Sequence, residues 1–237
     1  MGVYLLFVAM FVEAIKMNRT AIFPIFFRYP VWEQFCVWVS GTWFFVNDSG
    51  YFITANHVMT SLHQWNIFEY RWEPVDNPVV WNTIWITEVY RDVANDIYIW
   101  RIDTEIRQHV TLSRTKPDLW QSVCLSWYPL SKINATAAWM DISQVRRYWL
   151  MTNIMDFLNI TQPWWVIIHK WFITEASTIE GMSWWPVFGV NWEVYGIAWA
   201  FFPREFIRAD WTTKNISNWI IIDINNFLDV IDEHING

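Results

Sequence analysis

Along most of the chain, apolar residues either alternate with polar ones or run unbroken over short stretches, and the interruptions fall at turn-forming residues. RTAIFPIFFRY and WEQFCVWVSGTWFFVN supply β-branched and aromatic residues in runs of strand length, broken by Pro24, Pro30 and Gly41. NDSG at 47–50 is a strong turn signal, so WFFV and YFITA are expected to form a hairpin, and His57 then falls just past the end of a strand. Further strands are predicted in NTIWITEV, NDIYIWRID, SVCLSWY, AAWMDISQV, WWVIIHKWFI, WPVFG, EVYGIAWAF and WIIID. Two segments read as helical: 8–17, and INNFLDVIDEHI at 224–235, where Ile224, Phe227, Leu228 and Ile231 recur at the helical period. Strands at this density without alternating helices argue for barrels or sandwiches and against a parallel α/β sheet. The clearest lull in the pattern, SWYPLSKINATAAWM, marks an expected boundary between two half-domains.

The chain of 237 residues is long enough to bury a core without disulfide staples. A composition 54% hydrophobic and 16% charged excludes an intrinsically disordered chain. The formal charge of -7, with Arg146 and Arg147 as the densest basic spot, argues against a phosphate-tracking surface and so against nucleic-acid binding. Cys36 and Cys124 lack the spacing of a zinc or redox site and read as buried thiols or one bridge. The apolar start, MGVYLLFVAMFVEAIK, is too short to span a bilayer and has no basic n-region, so it reads as a docked strand or helix rather than a signal peptide. The last helix ends in DVIDEH, which an anionic lipid surface would repel, so no stable membrane insertion is expected.

Three places carry candidate chemistry. GYFITANHVM puts His57 at a strand end, RDVANDIYIWRID puts Asp96 at the head of a strand, and TIEGMSWWPVFG holds Ser183 in a glycine-preceded turn. A serine hydroxyl is a poor nucleophile until an imidazole takes its proton, and the resulting imidazolium must be held in one tautomer by a carboxylate. Asp92 is the nearby rival of Asp96; the segment after it reads as a turn, that after Asp96 as a strand. His63, His109 and His234 read as surface residues and His169 as a strand histidine. No cluster of Asp, Glu, Cys or His has metal-site spacing.

Taken together, SGTWFFV, TANHV, DIYIW, GMSWWPV and NWEVYGIAWA resemble, in order and interval, the signatures of the trypsin-like, chymotrypsin-fold serine proteases, closest to cysteine-poor bacterial branches of the high-temperature-requirement kind. The resemblance covers about residues 22–232. It implies a mostly β chain: an extension at 1–21, two antiparallel six-stranded β-barrels at 22–130 and 131–222, and a closing helix at 223–237, together one protease domain. It further implies His57 as general base, Asp96 as orienting carboxylate, Ser183 as nucleophile, and the backbone N–H groups of Gly181 and Ser183 as the oxyanion hole. Ile197, Ala198 and Trp199 match the strand edge that pairs with substrate, Ala200 follows where small residues admit the substrate side chain, and Ser177 matches the pocket floor. With no carboxylate at Ser177, a small or apolar side chain is the expected preference. A peptide or protein substrate is implied, with no cofactor and no metal.

The sequence departs from the family in one repeated way. Trp43, Trp184, Trp185 and Trp192 stand where the family has glycine, and the chain has 21 tryptophans against 7 glycines. Glycine serves such places because it reaches positive φ and permits close backbone approach. The alternative function is therefore a catalytically inactive protease-fold module that binds peptides or a protein partner, its nucleophile turn distorted by Trp184 and Trp185.

Overall fold

The structure is a computed structural model that describes residues 12, 21–31, 34–56, 68–70, 86–93, 95–102, 108–127, 131–135, 148–161, 168–177, 185–201, 206–207, 213–214 and 218–236. Its first sheet has seven strands. β1 (Ile22–Val31) and β2 (Gln34–Phe45) pair along their whole length, and β3 (Tyr51–Ala55), β4 (Phe68–Tyr70), β5 (Ile86–Asp92) and β6 (Ile97–Ile102) complete the order β4-β1-β2-β3-β6-β5. Both long strands run through the expected breaks at Pro24, Pro30 and Gly41. A proline lacks only its ladder N–H, and β4 covers β1 only at Ile25–Phe27, so the two prolines lie where β1 has a single partner among the described residues.

The hairpin expected at 47–50 is present. The Asn47 side-chain oxygen accepts from the Ser49 and Tyr51 N–H groups, each at 3.1 Å, and Gly50 supplies φ 82. Inside the sheet Trp43 stacks on Phe52 at 4.2 Å with planes 15° apart, and Phe23 tilts against both Trp43 and Phe45. Trp43, with Phe23, Phe45 and Phe52, thus belongs to a buried aromatic core.

The second sheet also has seven strands, ordered β12-β8-β10-β11-β16-β13-β7 with β12 also bonded to β13. They are β7 (Thr111–Leu112), β8 (Ser122–Trp127), β10 (Tyr148–Thr161), β11 (Ile168–Ser177), β12 (Pro186–Phe188), β13 (Glu193–Phe201) and β16 (Asn218–Asp223). Val123, Leu125, Ile154, Trp185, Val187, Tyr195, Ala198, Trp219 and Ile221 form its buried cluster. The seventh strand of the first sheet, β9 (Ser131–Ala135), pairs with the N-terminal half of β2, whose C-terminal end takes β3 instead. A small separate pair joins β14 (Phe206–Ile207) to β15 (Thr213–Lys214).

Two closed six-stranded antiparallel barrels are therefore not what forms. Among the described residues there are two seven-stranded sheets; the terminal strands β4 and β5 of the first are not paired with each other there, and β7 joins the second in parallel to β13. The seventh strand of the first sheet has its physical reason in β2, which is long enough to hold two different partners along one edge and so takes an extra strand from beyond β8.

The C-terminal segment does not form one continuous helix. Asp223, buried, caps a 3-10 turn at Ile224–Asn226 by accepting the Asn225 N–H at 2.9 Å, and α1 (Leu228–Asn236) follows. Ile224, Phe227, Leu228 and Ile231 are buried, as their spacing predicts. Arg114 grips Asp232 of α1 through two bonds of 2.8 and 2.9 Å, tying the inter-sheet segment to the helix. The predicted helix at 8–17 and the predicted strand AAWMDISQV lie outside the described residues, apart from Val12, which is helical. Cys124 is buried and is not part of a disulfide, so the alternative of a single bridge does not form.

Candidate active site

Antiparallel pairing of β3 with β6 ends at Ala55 and Ile97, and one step further the Asn56 N–H donates to the Asp96 carbonyl at 3.0 Å. The residue preceding His57 is thus bonded directly to the candidate carboxylate residue. Asp96 sits at φ 57, the left-handed region that aspartate enters more readily than most side chains. It closes the turn from β5 to β6. The other end of that turn is held by Asp92, whose carboxylate accepts both the Asn95 backbone N–H at 2.9 Å and the Asn95 side-chain amide. Asp92 therefore has a structural task in the turn.

A second layer backs this junction. The Arg91 Nε–H donates to Asn56 Oδ1 at 2.6 Å, and the Asn56 side chain is buried. The guanidinium lies over the Tyr98 ring, 5.4 Å from its centroid, within the range of a cation–π contact. Tyr98 in turn donates its hydroxyl to Glu88. Burial, then that hydrogen bond and the Glu88 charge, push the Tyr98 phenol far above the ordinary tyrosine value, with Arg91 pulling weakly the other way.

On the second sheet, Trp185 is fully buried, lies 5.1 Å from Trp219 with rings tilted 51°, and its carbonyl accepts the Ala198 N–H at 2.9 Å. The β12–β13 hairpin follows. The Trp192 N–H returns to the Gly189 carbonyl at 3.1 Å, the Gly189 N–H donates to the Glu193 carbonyl at 3.0 Å, and Trp192 itself stands at φ 76. A turn followed by a left-handed residue is a geometry that favours glycine.

The matched substrate positions divide along β13. Ile197 is buried and paired on both sides, to Pro186 of β12 and Ile222 of β16; Ala198 is buried, opposite Ile221. Pairing with β12 stops there among the described residues, and on the β16 side Ala200 aligns with Ile220, so Trp199 is an extra residue at a slip in register. Ser177 ends β11 opposite Asn218 of β16.

His57, Gly181, Ser183 and Trp184 lie outside the described residues. Asp96 is brought beside the strand end that leads into position 57; Ile197 through Ala200 lie together in β13. Two residues that the sequence does not single out, Asn56 and Arg91, are joined by a side-chain bond of 2.6 Å at this junction. Their signal was slight: an asparagine inside TANHV and an arginine just before a turn. No group of three potential metal ligands occurs among the described residues, and no helix among them is long and apolar enough to cross a membrane.

No protein-family model matches this chain, and no curated protein matches it. Solved structures do. The Rv3671c protease from M. tuberculosis in its active form aligns at 13% identity with a TM-score of 0.62, over 93% of this chain and 83% of that one. The serine endoprotease from Yersinia pestis aligns at 14% identity and TM-score 0.61, over 95% of this chain and 66% of that one. The HtrA-type protease AlgW with a tripeptide aligns at 16% and 0.63, over 94% of this chain and 62% of that one. The chain therefore shares the fold of HtrA-type serine proteases.

Proposed function

We propose that the protein is a serine endopeptidase acting through an acyl-enzyme on Ser183. His57 takes the Ser183 hydroxyl proton as the oxygen attacks the peptide carbonyl, and Asp96 holds the imidazolium in one orientation. The backbone N–H groups of Gly181 and Ser183 receive the oxyanion. His57 then gives the proton to the leaving amine, and a water activated by the same imidazole hydrolyses the ester, restoring the serine. The observation that carries the reading is the 3.0 Å bond from the Asn56 N–H to the Asp96 carbonyl, which supports Asp96 lying next to the strand end that leads into His57.

The substrate reading rests on β13. Beyond Ala198 its edge is not covered by β12 among the described residues, so an extended peptide would add a strand from Trp199 onward, with Ala200 and Ser177 bounding a pocket for a small apolar side chain. The two peptide-bound and active-form proteases above share the fold at low identity, which supports the class of reaction and not the substrate.

The deciding experiment is labelling by a serine-directed fluorophosphonate. Stoichiometric labelling of folded protein that disappears in Ser183→Ala is expected. Absence of labelling, with peptide binding that survives Ser183→Ala, would replace the enzyme by a binding module of the same fold.

A further inference from the structure

We infer that Asn56 and Arg91 form a positioning pair that fixes His57 against Asp96, an inference that rests on the reading of those two residues as base and orienting carboxylate. Asn56 is held from two directions. Its N–H is committed to the Asp96 carbonyl at 3.0 Å, and its side-chain oxygen accepts from Arg91 Nε at 2.6 Å. One planar peptide joins Asn56 to His57 and sets their Cα atoms about 3.8 Å apart, so a restraint on Asn56 is a restraint on where the imidazole's backbone begins.

Arg91 is well suited to the task. Its guanidinium is planar and keeps its charge at any working pH, so the donor never titrates away. The Tyr98 ring beneath it limits its rotation, and Arg91 and Tyr98 are direct cross-strand partners in the β5–β6 ladder. Asp92, next in the chain, anchors the turn that carries Asp96. The end of β5 therefore bears on both partners of the proposed pair: on Asp96 through the turn, and on His57 through Arg91 and Asn56. An Asn56 released from Arg91 would keep its backbone bond to Asp96 and lose this side-chain bond, weakening the restraint passed on to the next residue.

The test uses the full chain. Asn56→Leu removes the acceptor without changing charge, and Asn56→Ser, smaller and too short to reach Arg91, serves if the leucine disturbs folding. The His57 titration midpoint is followed by NMR of the imidazole carbons, assigned by difference from His57→Gln, together with the rate of fluorophosphonate labelling. The expected result is a midpoint lower by about half a unit or more, because a loosened carboxylate stabilises the imidazolium less. Labelling should slow by roughly tenfold or more, as for a small misplacement of a catalytic group. Arg91→Met should slow labelling to a similar extent, and Arg91→Lys, which keeps a donor, should recover part of it. An unmoved His57 midpoint, or an unchanged labelling rate in an enzyme that labels, overturns the pair. A wild-type protein that does not label while its His57 midpoint still falls in Asn56→Leu would refute the protease and leave the positioning intact.

Discussion

The imidazole of His234, on α1, stacks on the ring of Tyr90, on β5, with centroids 4.5 Å apart and planes 26° from parallel. The last helix thus rests on the strand whose next residues are Arg91 and Asp92, and a helix-end histidine expected at the surface is instead a half-buried clasp. His234→Ala should lower stability by about 0.5–1.5 kcal/mol, the range measured for aromatic pairs beyond burial, read as a lower urea midpoint. His234→Phe should retain most of the loss-sensitive contact.

Tyr98 makes stability fall in alkali. Its phenol is held above the ordinary value of about 10 by burial and by Glu88, so the folded state keeps a proton that the unfolded chain gives up. That contribution is whole below about pH 10 and is lost as pH climbs toward the raised value. Urea midpoints taken from pH 8 to pH 11 should decline less steeply in Tyr98→Phe than in the wild type. Tyr90, raised by burial and then by Asp92, leaves some slope in the variant.

Truncating the side chain at position 185 to glycine should do harm. Trp185 is fully buried, packed with Trp219 in the second sheet's cluster. Trp185→Gly should cost about 3–5 kcal/mol by analogy with large-to-small core truncations, a large share of the roughly 5–15 kcal/mol that holds a domain folded, and would show as a strongly lowered thermal midpoint. Trp185→Phe should remain folded.

Position 192 should behave in the opposite way. Trp192 holds φ 76, a conformation that disfavours a side chain by about 1–2 kcal/mol, so Trp192→Gly should raise the urea midpoint by an amount near the lower end of that range. In the same hairpin, a Cβ at Gly189 would run into the Tyr195 ring, approaching Cδ2 to 2.6 Å. Gly189→Ala should therefore lose about 1–3 kcal/mol in the same measurement.

Much of the architecture is legible from alternation alone, because hairpins such as Phe45 to Tyr51 and the capped turn at Asp223 are set by local chemistry. β10 is not: Asn153, Asp156 and Asn159 recur through it and mask the strand pattern. A tertiary partner accounts for the first of them, and a local bond holds the second. Asn153 accepts from the Ser122 hydroxyl at 2.8 Å across the β8 pairing, and Asp156 follows a slip in the β11 register and accepts the Phe157 N–H at 2.9 Å. β9 was read as a lull because its identity depends on β2, almost a hundred residues earlier in the chain. At the site, the strand-end position of Asp96 is readable, whereas the Arg91–Asn56 bond joins residues 35 apart and leaves no local trace.

The sheets are interleaved in chain order: β7 and β8 belong to the second, and β9, which follows them, belongs to the first. A ribosome releasing this polypeptide would therefore be well into the later sheet before supplying the last strand of the earlier one. Vectorial folding, one half finished before the next begins, is closed to it, and the edge of β2 that awaits β9 stands open to neighbouring nascent chains in the meantime.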